Sequence, residues 1–115
     1  VQHIALATDD IYATAEALAT RGFEPLPISG NYYADLAARF DIEAKTVARL
    51  KAANILYDED AQGAFFQLYS RPFAGGMFFE IIQRVDGYAG YGGPNAPFRI
   101  AAQKRLMRQK GMPRN

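Results

Sequence analysis

The chain has 115 residues, half of them hydrophobic, a net charge of +1 and no cysteine. That is enough for one globular domain with a core, and it excludes a disordered chain, disulfide staples, thiolate metal sites and cysteine nucleophiles. No run of about 18 apolar residues is present to span a membrane, no basic segment followed by an apolar one marks a leader, and the near-neutral charge names no polyanion, so neither membrane nor nucleic acid is an expected partner. Lack of cysteine fits a reducing compartment, and the cytoplasm is the expected location.

The chain opens VQHIALATDD, inside a strand pattern and without an initiator Met, which reads as one module, residues 1–115, belonging to a longer protein. Residues 1–8 have strand character, with His3 on the face of Val1, Ala5 and Ala7. Asp9 or Asp10 caps a helix, since a carboxylate accepts the free amide hydrogens of a first turn. Ile11, Ala15 and Leu18 recur at helical spacing, and Gly22 ends that helix. Residues 23–28, FEPLPI, are extended, and two prolines make them an edge strand or a strand exit. A turn at SGN leads to a helix over 32–40 and a second over 42–53, with Val47 and Leu50 inward.

A short strand over 55–57 runs into an acidic turn closed by Gly63. Strands over 64–70 and 77–85, joined by a loop, read as an antiparallel pair. The glycine-rich run 87–95 lacks the spacing of a dinucleotide or P-loop fingerprint and reads as a flexible connection. Asn95 caps a last helix with Pro97 in its first turn and Phe98, Ala102 and Leu106 as its apolar stripe. The order is β, α, β, a helical insert, three more strands and a helix, which is an α+β domain with a mostly antiparallel sheet. After Asp86 no acid follows, while Arg99, Lys104, Arg105, Arg108, Lys110 and Arg114 do. Without interleaved aromatics this reads as a solvated helix face and tail rather than a strand-binding surface.

The chemistry concentrates in MFFEIIQR, residues 77–84, where Glu80 shares a strand face with Phe78 and Ile82. A carboxylate on such a face costs several kcal/mol, roughly, unless it is paired or ligates a metal. His3 is the single histidine. Imidazole and carboxylate together are two-thirds of the facial triad that holds non-haem iron. A half-buried histidine with a satisfied ring nitrogen, and an ion pair between Glu80 and an arginine, are the plainer alternatives. Asp58, Glu59 and Asp60 read as a solvated turn.

VQHIALATDDI, NYYADLAARF, ILYDEDAQGAFFQLYSRP and FFEIIQRVDGYAGYG together resemble the C-terminal part of 4-hydroxyphenylpyruvate dioxygenase. The resemblance implies a vicinal-oxygen-chelate fold, a βαβββ module with a closing C-terminal helix. It implies that His3 and Glu80 bind Fe(II), or another divalent metal, with a histidine of a preceding module as third ligand; for the chain alone, a second copy of itself is the alternative partner. It places Gln67 near the substrate as an orienting donor and Phe78 on the pocket wall, makes residues 95–109 a lid, and implies a 2-oxo acid and O2 as reactants. One position departs. Where the family carries a phenylalanine after G-x-G-N, this chain reads GGPNAP, with Ala96. NYYADLAARF, GYGGPNAP and RIAAQ look like the dioxygenase-like half of fusions that carry a barrel with 3-dehydroshikimate dehydratase activity. That variant implies a module of structural or unknown activity.

Overall fold

The computed structural model describes residues 3–109. Its elements are β1 (His3–Ala7), α1 (Ile11–Thr20), α2 (Gly30–Arg39), α3 (Ala44–Ala52), β2 (Leu56–Glu59), β3 (Ala64–Tyr69), β4 (Phe78–Val85) and α4 (Ala96–Gln109). Four strands form one mixed sheet in the order β1-β4-β3-β2. The β2–β3 and β3–β4 pairs are antiparallel, as expected, while β1 lies parallel to β4. The architecture is α+β, a βαβββ unit with α2 and α3 inserted before β2.

Local signals explain most boundaries. Asp10 Oδ1 accepts the Ala13 N–H at 3.1 Å and starts α1. Gly22 follows the end of α1 with φ +88, a left-handed value that suits glycine. The Gln83 side chain ties this helix to the sheet, accepting from Ile11 N at 2.9 Å and donating to Asp9 O at 2.8 Å.

Segment 23–28 is not a sheet strand. It forms a single bridge, Pro25 to Ser70, with Leu26 N–H donating to Tyr69 O at 2.8 Å. Arg71 N–H donating to Glu24 O at 3.3 Å flanks the bridge on its other side, and Pro25 and Pro27, whose nitrogens alternate away from β3, leave the segment's outer edge without N–H donors. The expected turn at SGN is instead the start of α2, which begins at Gly30 with Ser29 as its N-cap residue.

Two layers cover the sheet. α1 packs on the face that carries Leu68 and Ile81, while the 3-10 turn Gly93–Asn95 and the start of α4 close over the face that carries Glu80. Ile11, Leu26, Leu36, Leu50, Ile55 and Leu56 are fully buried. At about 1.5–3 kcal/mol for each buried side chain of this size, they join α1, the insert and the sheet in one core. In α4, Ala102 and Leu106 are buried, Phe98 packs edge-on to Tyr32, and Lys104 and Arg108 face solvent. Lys110 and Arg114 lie outside the described residues. The described residues contain no helix long and apolar enough to cross a membrane.

The glycine-rich run is pinned rather than loose. Tyr88 stacks on Phe65 with centroids 4.9 Å apart, donates its hydroxyl to Asp58 and accepts from Gly92 N at 3.0 Å. Arg84 reaches Gly90 O at 3.2 Å, and Asp60 accepts from Ala89 N at 3.1 Å. The acidic turn is therefore divided. Asp58 is buried against Tyr88, and burial together with this bond pushes the Tyr88 hydroxyl pKa up. Asp60 stays exposed, and backbone N–H donors led by that of Ala89 hold its carboxyl below the usual range.

Candidate metal centre

Pairing register builds the site. Ala5 of β1 and Tyr69 of β3 lie directly beside Glu80 of β4. His3 and Gln67 sit two residues along those neighbouring strands, so both reach the carboxylate diagonally across one face. His3 Nε2 lies 3.2 Å from Glu80 Oε1. Gln67 Nε2 donates to Oε2 at 2.8 Å and also to the Tyr69 hydroxyl at 2.7 Å. Tyr69 adds a long contact to Oε2 at 3.4 Å. Burial, then the negative charge of Glu80, raises the Tyr69 pKa, so this hydroxyl stays neutral.

The four side chains named from the sequence meet here. Glu80 is 9% exposed and Gln67 1%. Phe78 is buried and stacks on the His3 ring, centroids 5.2 Å apart and planes within 10°. The His3 side chain is 47% exposed, on a strand whose every residue faces solvent.

The donors fit a metal as far as they go. Two ligands each about 2.1 Å from a metal and at right angles lie about 3 Å apart. The observed 3.2 Å between an imidazole nitrogen and a carboxylate oxygen suits that arrangement. A third donor of ligand type is missing locally: no cluster of three His, Cys, Asp or Glu side chains occurs among the described residues.

Behind the carboxylate runs a buried relay that the sequence reading did not anticipate. Tyr32 OH donates to Asn95 Oδ1 at 2.7 Å, and Asn95 Nδ2 donates to Gln67 Oε1 at 2.7 Å. Gln67 then donates to Glu80. Tyr32 OH itself accepts from Tyr57 N at 2.8 Å, so the line starts on the backbone of β2. Asn95 is thus not a helix cap. Its side chain is turned inward, and the 3-10 turn carries the chain into α4 instead. The available signal was the polar Asn directly after GGP, at the end of a glycine run. Gly92 is part of the same construction. With φ +68 it passes so close to the Gln67 amide that any Cβ would collide with it. Gln67 has every amide group engaged, so it orients Glu80 in this conformation.

A cavity of about 360 Å³ opens beside His3, Glu80, Gln67 and Phe78, with Ala96 and Arg99 of α4 on its opposite wall. Arg99 was expected on a solvated face. It is half-buried instead, because the start of α4 turns this residue toward Phe78 and Tyr69.

No family model matches the chain. A 3-dehydroshikimate dehydratase from Pseudomonas aeruginosa is 46% identical over 109 residues, covering 94% of this chain and 17% of that protein. A 4-hydroxyphenylpyruvate dioxygenase from Pyricularia oryzae is 36% identical over 119 residues, 96% of this chain and 28% of the relative. A solved fusion of a xylose isomerase-like TIM barrel and 4-hydroxyphenylpyruvate dioxygenase superposes with a TM-score of 0.87 at 46% identity, over 91% of this chain and 17% of that one.

The chain matches 4-hydroxyphenylpyruvate dioxygenase-like modules in sequence and fold.

Dehydratases, dioxygenases and the fusion share this dioxygenase-like module, while most of each relative lies beyond it. In its fold the module matches C-terminal modules of the dioxygenase type.

Proposed function

We propose that the module supplies His3 and Glu80 to a divalent-metal centre, Fe(II) in the first instance, of an oxygenase that acts on a 2-oxo acid. The observation that carries this reading is the His3–Glu80 pair at 3.2 Å, at the mouth of a cavity and braced from behind by Gln67. Bound Fe(II) supplies open coordination positions for the oxo and carboxylate oxygens and reducing equivalents for O2. The third ligand comes from a preceding module or from a second copy.

The chain's own residues do the rest. Gln67 and the neutral Tyr69 hydroxyl hold one carboxylate oxygen of Glu80, leaving Oε1 toward His3. Phe78 stacks flat on His3, which limits rotation of the imidazole and forms an apolar wall. The turn before α4 locks Gln67 through Asn95. In the overall reaction the 2-oxo acid loses CO2. One oxygen atom of O2 enters the new carboxylate, and the other is inserted into the organic substrate.

A second reading is favoured by the 46% identity to a 3-dehydroshikimate dehydratase and by the small Ala96. In it the module is the non-catalytic half of such a fusion and contributes fold stability, assembly contacts or regulation. One experiment separates the two. Fe(II) or Mn(II) is titrated into the 115-residue chain and into the full-length gene product, each with and without His3→Ala. The oxygenase reading expects tight binding in the full-length protein, weak binding in the isolated chain, and loss in both on substitution. Equal affinity before and after His3→Ala removes His3 from any metal centre and leaves the second reading.

A further inference from the structure

The basic residues of α4 fall into two groups. Lys104 and Arg108 are exposed. Arg99, one turn into the helix, lies over aromatic rings, its guanidinium carbon 5.1 Å from the Phe78 centroid and 5.7 Å from that of Tyr69. Its Nη1 donates to Gln103 Oε1 at 3.2 Å, and the guanidinium lies near enough to the Tyr69 hydroxyl to act on it as a neighbouring donor and charge. No acid forms a salt bridge with it among the described residues, where the pairs are His3–Glu80 and Arg39–Asp35. Ring faces satisfy the plane of a guanidinium but leave donors at its edge. A half-buried cation whose neighbours among the described residues are rings, one neutral amide and a neutral hydroxyl favours an anion that enters its cavity.

The rest of the wall has the same bias. Arg84 also lines the cavity, its guanidinium over Phe65, and Glu80 is the single acid in the lining. That acid is already engaged by His3 and Gln67. Ala96 stands three residues before Arg99, hence on the same side of the helix, and its methyl group leaves the space in front of Arg99 open. Phe78 touches both ends, stacking on His3 and packing under Arg99. One aromatic ring therefore separates the imidazole–carboxylate pair from a cation that forms no salt bridge among the described residues.

We infer that Arg99 is a specificity-determining residue, and that this cavity takes a small 2-oxo acid carrying a second carboxylate in place of an apolar ring. The inference rests on the metal reading of His3 and Glu80 for the oxo-acid end. Arg99 offers a planar, two-donor match to the distal carboxylate, a geometry that lysine lacks.

The test uses full-length protein loaded with Mn(II), with metal occupancy read separately from the Mn(II) resonance signal. Binding of 2-oxoglutarate, 2-oxopentanoate and phenylpyruvate is measured by calorimetry. The first two differ only by the distal carboxylate. Wild type is expected to favour 2-oxoglutarate over 2-oxopentanoate by about tenfold or more at low salt, the worth of one charge-assisted hydrogen-bonded pair. Arg99→Met should erase that preference while leaving Mn(II) occupancy and 2-oxopentanoate affinity within about twofold, and Arg99→Lys should restore part of it. If Arg99→Met fails to fold by circular dichroism, the Lys variant and the salt dependence of the wild-type preference decide. A preference that survives Arg99→Met, that ignores salt, or that runs toward phenylpyruvate overturns the inference while leaving the metal reading intact. If Mn(II) does not bind the wild-type protein, the metal reading fails, and this inference fails with it.

Discussion

Glu80 and His3 face each other across 3.2 Å, yet the molecule holds them very differently. Glu80 sits on an interior strand, at the end of a buried line that runs through Gln67 and Asn95 to Tyr32. His3 sits on the sheet's edge strand, beside exposed Ile4 and Leu6, and is steadied by a ring stack. One half of the pair is preorganised by its own module. The other half is presented outward, where a neighbouring module could complete it. Burying a carboxylate demands that its oxygens be satisfied locally, whereas an edge imidazole keeps its contacts with water until something covers it. The difference teaches that the stability of the module and its capacity for metal should separate on mutation.

The sharpest way to break this comparison is at Asn95. Asn95→Leu leaves the fully buried Gln67 carbonyl without its donor, while the Tyr32 hydroxyl keeps an acceptor in Tyr57 O at 2.9 Å. The orphaned carbonyl costs about 1–3 kcal/mol and two buried hydrogen bonds are lost with it, so a loss of about 2–3 kcal/mol is expected in urea unfolding. A loss below about 1 kcal/mol would mean that the relay is dispensable and that Glu80 is no better held than His3.

Gly92 tests the same line from outside. Gly92→Ala forces a side chain into the Gln67 amide at a left-handed φ of +68. Strain of this kind costs about 1–3 kcal/mol. The variant should lose about 2 kcal/mol and, if Gln67 is displaced, weaken metal binding as well. Unchanged thermal stability would show that Gln67 has freedom to move.

The smallest stability effect belongs to the other half of the pair. His3→Ala should change unfolding free energy by no more than about 0.5 kcal/mol, since the imidazole is 47% exposed and its removal opens Glu80 Oε1 to water in its place, while abolishing metal affinity in the titration above. A large loss of stability from this substitution would make His3 a structural residue and cancel the contrast with Glu80.

Much of the fold was legible from short-range chemistry. Asp10 as a cap, Gly22 as a helix end and the strand pair over residues 64–70 and 77–85 depend on a few adjacent residues, and they stand as read. The errors lie where distant segments compete. Asn95 has the composition of a cap, but Gln67, 28 residues earlier, offers it a buried partner. Segment 23–28 has strand character, but it meets the sheet through one bridge, Pro25 to Ser70. Arg99 and Asp58 look like surface charges, and both are drawn inward by aromatic neighbours on other elements.

By itself the sequence determined the types of donor and their alternation: one imidazole and one carboxylate, each on the same-facing positions of an apolar strand, because strand periodicity follows from backbone geometry alone. Only the tertiary structure decided that the strands carrying them run parallel and adjacent, which register brings His3 and Gln67 to opposite oxygens of one carboxylate, and which polar groups fill the space behind it. Those outcomes depend on pairings between residues up to 77 positions apart (His3 with Glu80). In such a pairing the penalty for an unsatisfied buried group, rather than any local propensity, selects the partner.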